Sequence, residues 1–278
     1  MTAREIEFNA DLGEGFGVWA APTQIWRADL ERGGSLDAPD GPQPSILRVM
    51  QLVSSVNLAC GFHGGDPYLM KHYVAAAKAA GCAIGAHPSY PDLAGFGLRY
   101  MDMSSGEIQA MVQYQLGALE GFLRMEDLKL NHVKCHGALY NRSVKDQVVA
   151  DALVEAVARY RSDLPLYGFP YSCVEHAAKR KGLPFVREAF SDRAYHQDGT
   201  LVDRRRTDAM ITEPAPVVER VVGMVETGKV RSVESSDVTL DPGTICFHAD
   251  TPAVIAFLEG CHAALKERGV SVRRDTEK

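Results

Sequence analysis

Seven short apolar runs, each followed by a longer stretch with helical spacing, constrain this chain more than any other feature. They span residues 6–10, 56–60, 83–86, 132–135, 164–168, 185–189 and 244–247. Parallel strands need a crossover of helix length between them, so this alternation is the sequence sign of a parallel sheet covered by helices. Punctuation supports the reading. Asp66 and Pro67 supply an N-cap and an N1 proline for a helix over 68–80, and Gly81 ends it. Ser104 with Glu107, and Ser172 with Glu175, have capping-box spacing. Thr251 and Pro252 are expected to open a helix running to about residue 268, closed by Gly269. Two segments break the rhythm. A Gly-, Pro- and Asp-rich stretch over about 19–45 reads as a surface excursion, and the Val/Thr-rich stretch over about 229–240 reads as a β-hairpin at the rim. With 278 residues and 46% apolar content, one large domain over 1–278 accommodates all of it.

Composition excludes several classes of function. A formal charge of −6 leaves no basic footprint for nucleic acid, and Lys and Arg look scattered along the chain. No apolar stretch reaches the length of a membrane span, and Met1 to Glu5 lacks a signal-peptide core, so a cytoplasmic protein is expected. Six widely spaced cysteines without a Cys-x-x-Cys pair predict reduced, buried thiols and neither a disulfide nor a cysteine zinc site.

Chemistry gathers where the strands end. The first run leads into Asp11 and Glu14, the second contains Asn57 and leads to His63 and Asp66, and the third leads into His87. The fourth holds Lys134 and leads to His136, the sixth runs into Asp192 and Arg193, and the last into His248 and Asp250. In a closed parallel barrel these ends converge on one face, where such barrels hold their active sites. Any one of these histidines alone is more often a satisfied structural residue than a catalyst; their recurrence at one structural position is what points to a site. Lys134 and His136 lie two apart and face the same side of their strand. Lys134 either serves the chemistry or forms a structural ion pair with Asp11 or Glu188. The glycines around Asp11 and His63 make tight turns, allow close approach of a ligand, or both. Gly13, Gly15 and Gly17 lack the spacing of a dinucleotide fingerprint. A divalent metal is possible, with Asp11, His63 and His87 as candidate ligands, and it would have to be assembled across strands.

The segments at 8–17, 57–67, 84–97, 133–141, 190–195, 198–201 and 246–252 resemble the LamB/YcsF family in order and spacing, so the likeness covers about residues 5–270. The chain departs from that family's pattern at Cys135 and at Leu98-Arg99. The resemblance implies a β/α barrel of the glycoside hydrolase/deacetylase type, with seven strands. It also implies a role as the A subunit of a 5-oxoprolinase, opening 5-oxoproline or a related lactam to the amino acid. ATP would be the co-substrate of the complex, separate B and C subunits its partners, and a homo-oligomer is possible. Carried onto this sequence, the catalytic candidates are Asp11, His63, His87, Lys134, His136 and His248. The substrate-binding candidates are Glu14, Asn57, Asp192, Arg193 and Asp250. Two alternatives stand beside this reading: a metal-dependent deacetylase or amidohydrolase acting alone, and a non-catalytic subunit that binds the lactam.

Overall fold

The computed structural model describes residues 4–16 and 46–274, and the excursion expected over 19–45 falls outside them. Seven strands form a closed, all-parallel barrel: β1 (Arg4–Leu12), β2 (Ser55–Ala59), β3 (Ala83–His87), β4 (Val133–Lys134), β5 (Leu166–Gly168), β6 (Phe185–Phe190) and, closing back on β1, the ninth strand of the chain, β9 (Thr244–His248). Each of the seven apolar runs thus becomes a barrel strand. The covering helices are α1 (Ile46–Leu52), α2 (Pro67–Ala80), α3 (Ser105–Met125), α4 (Gly137–Lys145), α5 (Gln147–Tyr160), α6 (Cys173–Lys181), α7 (Pro214–Thr227) and α8 (Val254–Glu267). Among the described residues no helix is long and apolar enough to cross a membrane.

The two faces of β1 show why the barrel forms. Phe8, Ala10 and Leu12 are fully buried in the apolar layer between sheet and helices, Phe8 lying 4.7 Å from the Phe247 ring. The alternate residues Glu7, Asn9 and Asp11 occupy the other face, as the period of two requires. Barrel interiors are commonly filled with branched aliphatics, whereas this one is polar and bonded. Glu7 accepts from Ser55 and Tyr167, and Asn9 donates to Glu188 and Thr244. A buried network of this kind is tolerable only when its members are paired, and it then fixes their positions closely.

Helix punctuation follows the sequence with two exceptions. Asp66 caps α2 through the N–H groups of Tyr68 and Leu69, Gly81 closes it at φ +69°, and Ser104 and Glu107 form a full capping box on α3. Ser172 does accept from the Glu175 N–H, but the Glu175 carboxylate turns away to the Tyr171 N–H and to Arg187, so this box is only half made. The last helix starts at Val254 instead of Thr251, because the Thr251 hydroxyl is engaged with Asp192 and does not cap. Two strands, β7 (Lys229–Arg231) and β8 (Asp237–Thr239), form an antiparallel ribbon. It braces the segment after β6, the Val233 N–H donating to the Tyr195 carbonyl and Glu234 accepting from His196. An eighth parallel strand, β10 (Val270–Val272), pairs with the first residues of β1.

Candidate active site

Five of the seven barrel strands deliver polar groups to the C-terminal mouth, where an open cavity of about 830 Å³ lies. Asp11, Glu14, His87, Lys134 and His136 form its floor, and Arg193, Arg204, Arg205, His248 and Asp250 stand along one side. Phe96, Tyr140, Phe169 and Phe190 supply apolar wall. Asn57 and Asp192, expected to bind substrate, and His63, expected among the catalytic residues, do not line the cavity. Asn57 is fully buried beneath the floor, its amide nitrogen 2.8 Å from both Asn9 and Asp11 and its oxygen accepting from His132 at 2.6 Å. It holds Asp11 in place instead.

Lys134 sits at the centre. Its ammonium is 2.7 Å from Asp11 Oδ1, 3.0 Å from Glu188 Oε1 and 3.1 Å from Cys246 Sγ. Burial opposes its charge, but Asp11, Cys246 and Glu188 together hold it well above the usual lysine range. Burial likewise opposes the Asp11 carboxylate, and His87 and Lys134 outweigh it, leaving Asp11 below the ordinary range. His87 is itself neutral near pH 7, so the Lys134 ammonium is what keeps Asp11 ionised. Glu188 is raised by burial despite the same lysine. Lys134 thus forms the ion pairs that the sequence offered, with Asp11 and Glu188, and it also lines the cavity.

The imidazoles are fixed by backbone carbonyls. Because a carbonyl only accepts, His87 carries its hydrogen on Nδ1, bonded to the Lys134 carbonyl at 2.7 Å, and His136 carries its own on Nε2, bonded to the Phe96 carbonyl at 2.8 Å. Phe96 supplies that carbonyl from a left-handed conformation, φ 56°, a strained geometry for a residue with a side chain. Burial pushes His87 down to about 3 and His63 down to about 4. His63 packs flat on His136, ring centroids 3.8 Å apart with planes 1° from parallel, and its Nε2 lies 3.3 Å from Glu14. Glu14 is held well below the usual range: burial works against it, and His136 and His63 prevail. The nearby glycines serve chain packing. A Cβ on Gly64 would run into the Glu14 backbone, and Gly65, at φ +80°, lies against the backbone of Ala59.

The opposite side is basic. Arg193 is largely buried, with one Nη bonded to the Val202 carbonyl and its Nε without a partner among the described residues. Burial, then Arg204, brings it down to about 10. Asp192 accepts from His248 Nδ1 at 2.7 Å and from the Thr251 hydroxyl at 3.2 Å. Burial resists its charge, and His248 and Thr251 keep the carboxyl low. His248 Nε2 is then a lone pair, which takes a hydrogen from Arg204 at 2.9 Å. Arg204 and the Phe96 carbonyl were not anticipated. The run Arg204-Arg205-Arg206 was the available signal, and it corrects the impression that the basic residues are scattered.

The LamB/YcsF family model matches residues 46–278. The A subunit of a 5-oxoprolinase from Bordetella parapertussis is 42% identical over 268 residues, 96% of this chain and 98% of the relative. Its counterpart from Chloroflexus aggregans is 45% identical over 268 residues, with the same shares covered. The crystal structure of a lactam utilization protein from Thermus thermophilus superposes with a TM-score of 0.83 at 39% identity, covering 97% of this chain and 99% of that one.

Proposed function

This chain belongs to the LamB/YcsF family, and from that premise we propose that it is the A subunit of a cytoplasmic 5-oxoprolinase, hydrolysing the ring amide of 5-oxoproline to glutamate with ATP. Its partners in this reading are separate B and C subunits. The observation that carries the proposal is the pairing of two unlike sides in one cavity: a floor of imidazoles and carboxylates around Lys134, and a buried guanidinium at Arg193 facing them.

A five-membered lactam carries a carboxylate at one end and an amide at the other. Arg193, which lines the cavity with no carboxylate in contact among the described residues, suits the first through an ion pair. The amide is a poor electrophile because attack forfeits its resonance. Transfer of a phosphoryl group from ATP to the lactam oxygen removes that obstacle. Water then adds to the carbon, the ring C–N bond breaks as nitrogen takes a proton, and the resulting acyl phosphate is hydrolysed by a second water. Cavities of roughly 300–1,000 Å³ hold drug-sized ligands, so 830 Å³ leaves room for a phosphoryl group beside the ring. Lys134 suits the developing negative charge, Arg204 and Arg205 add positive charge for phosphate oxygens, and the Asp11 carboxylate is placed to draw the proton from water.

The test is glutamate release from 5-oxoproline by the purified chain, with and without ATP-Mg and the B and C subunits. Release that needs both is expected, and Asp11→Asn or His136→Asn should abolish it without unfolding the chain. Near-normal turnover in both variants removes those residues from the mechanism.

A further inference from the structure

Three electron-rich atoms meet at the cavity floor with no hydrogen of their own between them. In neutral imidazoles the two carbonyl bonds described above leave His87 Nε2 and His136 Nδ1 as bare lone pairs, yet these nitrogens lie 3.1 Å apart. Glu14 Oε1, an acceptor, is 3.2 Å from His136 Nδ1 and 3.9 Å from His87 Nε2. Asp11 Oδ2 adds a fourth acceptor 3.5 Å from His87 Nε2. Lone pairs this close in a buried site repel unless something positive lies among them. We propose that Glu14, His87 and His136 bind a divalent first-row transition-metal ion of the zinc class, with one side of the ion open to the cavity.

The spacing suits such an ion. Nitrogen and oxygen ligands at 2.0–2.2 Å around a tetrahedral zinc stand about 3.3 Å from one another, close to the separations of 3.1, 3.2 and 3.9 Å here. The His87 and His136 rings are nearly perpendicular, 81°, so both can aim in-plane lone pairs at one point. Two imidazoles and a carboxylate, with the remaining position open, form a donor set that zinc, manganese and cobalt accept. Each ligating histidine also donates its other N–H to a carbonyl, the outer bonding that fixes tautomer and direction in metal sites.

His63 falls outside this set, although it brings a fourth donor atom, the third nitrogen, within 4.8 Å. Its ring is parallel to His136, and one ion cannot lie in both ring planes. It does not line the cavity, and its Nε2 orients Glu14 from behind. The ligands foreseen from the sequence, Asp11, His63 and His87, are thereby revised: Glu14 and His136 replace His63, and Asp11 stands beside the ion on the Lys134 side. A water on the open face gives up its proton more easily, with Asp11 placed to receive it. This deepens the lactam-opening reading and rests on it for the role of the water, though not for the site.

The test is metal content after chelator treatment and dialysis against Zn²⁺ or Co²⁺, with the visible absorption of Co²⁺ as a second readout. One ion per folded chain and a Co²⁺ band of low-coordinate intensity are expected. Glu14→Gln and His136→Asn should each weaken binding by more than about a hundredfold, while His63→Phe, which removes only an outer partner, should weaken it by about tenfold. No ion retained by a chain that circular dichroism finds folded overturns the site, and so does equal binding in the Glu14→Gln and His136→Asn variants. Glutamate release by ion-free protein sinks the metal and spares the proposed reaction. An ion bound as expected without glutamate release does the reverse.

Discussion

Replacing Lys134 with methionine keeps the length of the side chain and deletes the only cation in contact with Asp11 and Glu188 among the described residues. At an effective dielectric of about 20, unit charges at those separations of 2.7 and 3.0 Å attract by about 6 kcal/mol each before desolvation. Much of that is offset because the ammonium no longer has to be stripped of water. Breaking buried pairs from one side leaves a net loss of about 3–5 kcal/mol, which is the expected destabilisation in urea at pH 8. Its pH dependence identifies the cause. Glu188 is already raised by burial, and without Lys134 it rises further. A carboxyl raised in the fold contributes stability below its unfolded value of about 4.3 that is lost as pH climbs through the folded value. The deficit of Lys134→Met should therefore be smaller in acid and grow by about 1.4 kcal/mol per pH unit once pH passes the raised value of Glu188 in the wild type. Adding Glu188→Gln should recover part of it. A deficit under about 1 kcal/mol at pH 8, or one that does not change with pH, refutes the account of Lys134 as the charge that holds the floor together.

Gly97→Ala should cut turnover by about 10–100-fold: its φ is +67°, and a Cβ there would stand 2.8 Å from His136 Cδ2 and 2.9 Å from His63 Cβ. The left-handed backbone should add about 1–2 kcal/mol of instability, readable as a lower Tm. His132, pushed by burial down to about 3, predicts acid sensitivity. The unfolded chain takes up a proton near pH 6.5 that the folded one refuses, so stability should fall by about 1.4 kcal/mol per pH unit below that. His132→Gln should flatten this slope in urea titrations between pH 4 and 6, and an unchanged slope would assign it to other groups. Arg193→Gln should raise KM for 5-oxoproline far more than it lowers kcat, as loss of binding common to ground and transition states does; an unchanged KM removes it from the carboxylate.

What the sequence made legible was the part written in short-range pattern. Apolar runs located every barrel strand, Asp66 and Ser104 the starts of α2 and α3, and Gly81 the end of α2, because periodicity and capping act over a few residues. Strand-end position alone gathered Asp11, Glu14, His87, Lys134, His136 and His248 around one mouth. It did not separate the residues that touch the cavity from those one layer below, such as Asn57 and Asp192, since depth depends on barrel register: Asp11 is flanked by Asn57 and His248. Nor did it reveal the tautomers of His87 and His136, which are set by carbonyls of Lys134 and Phe96. Backbone oxygens carry no sequence signature, and a left-handed phenylalanine has none either. The strand Val270–Val272 escaped because three residues are too few to show a period, and Thr251 misled because a capping residue can be engaged elsewhere.

The first strand is bonded along different parts of its length to three others, β10, β9 and β2. Two of these partners arrive more than two hundred residues later in the chain. During synthesis β1 therefore waits, its edge on the β9 side unpaired, until Thr244 and the residues after it have emerged. Closure over so long a loop makes for slow folding, and an unpaired apolar strand such as Phe8 to Leu12 invites association with other nascent chains. The same seam that completes the pocket is thus the step at which yield of folded protein is decided.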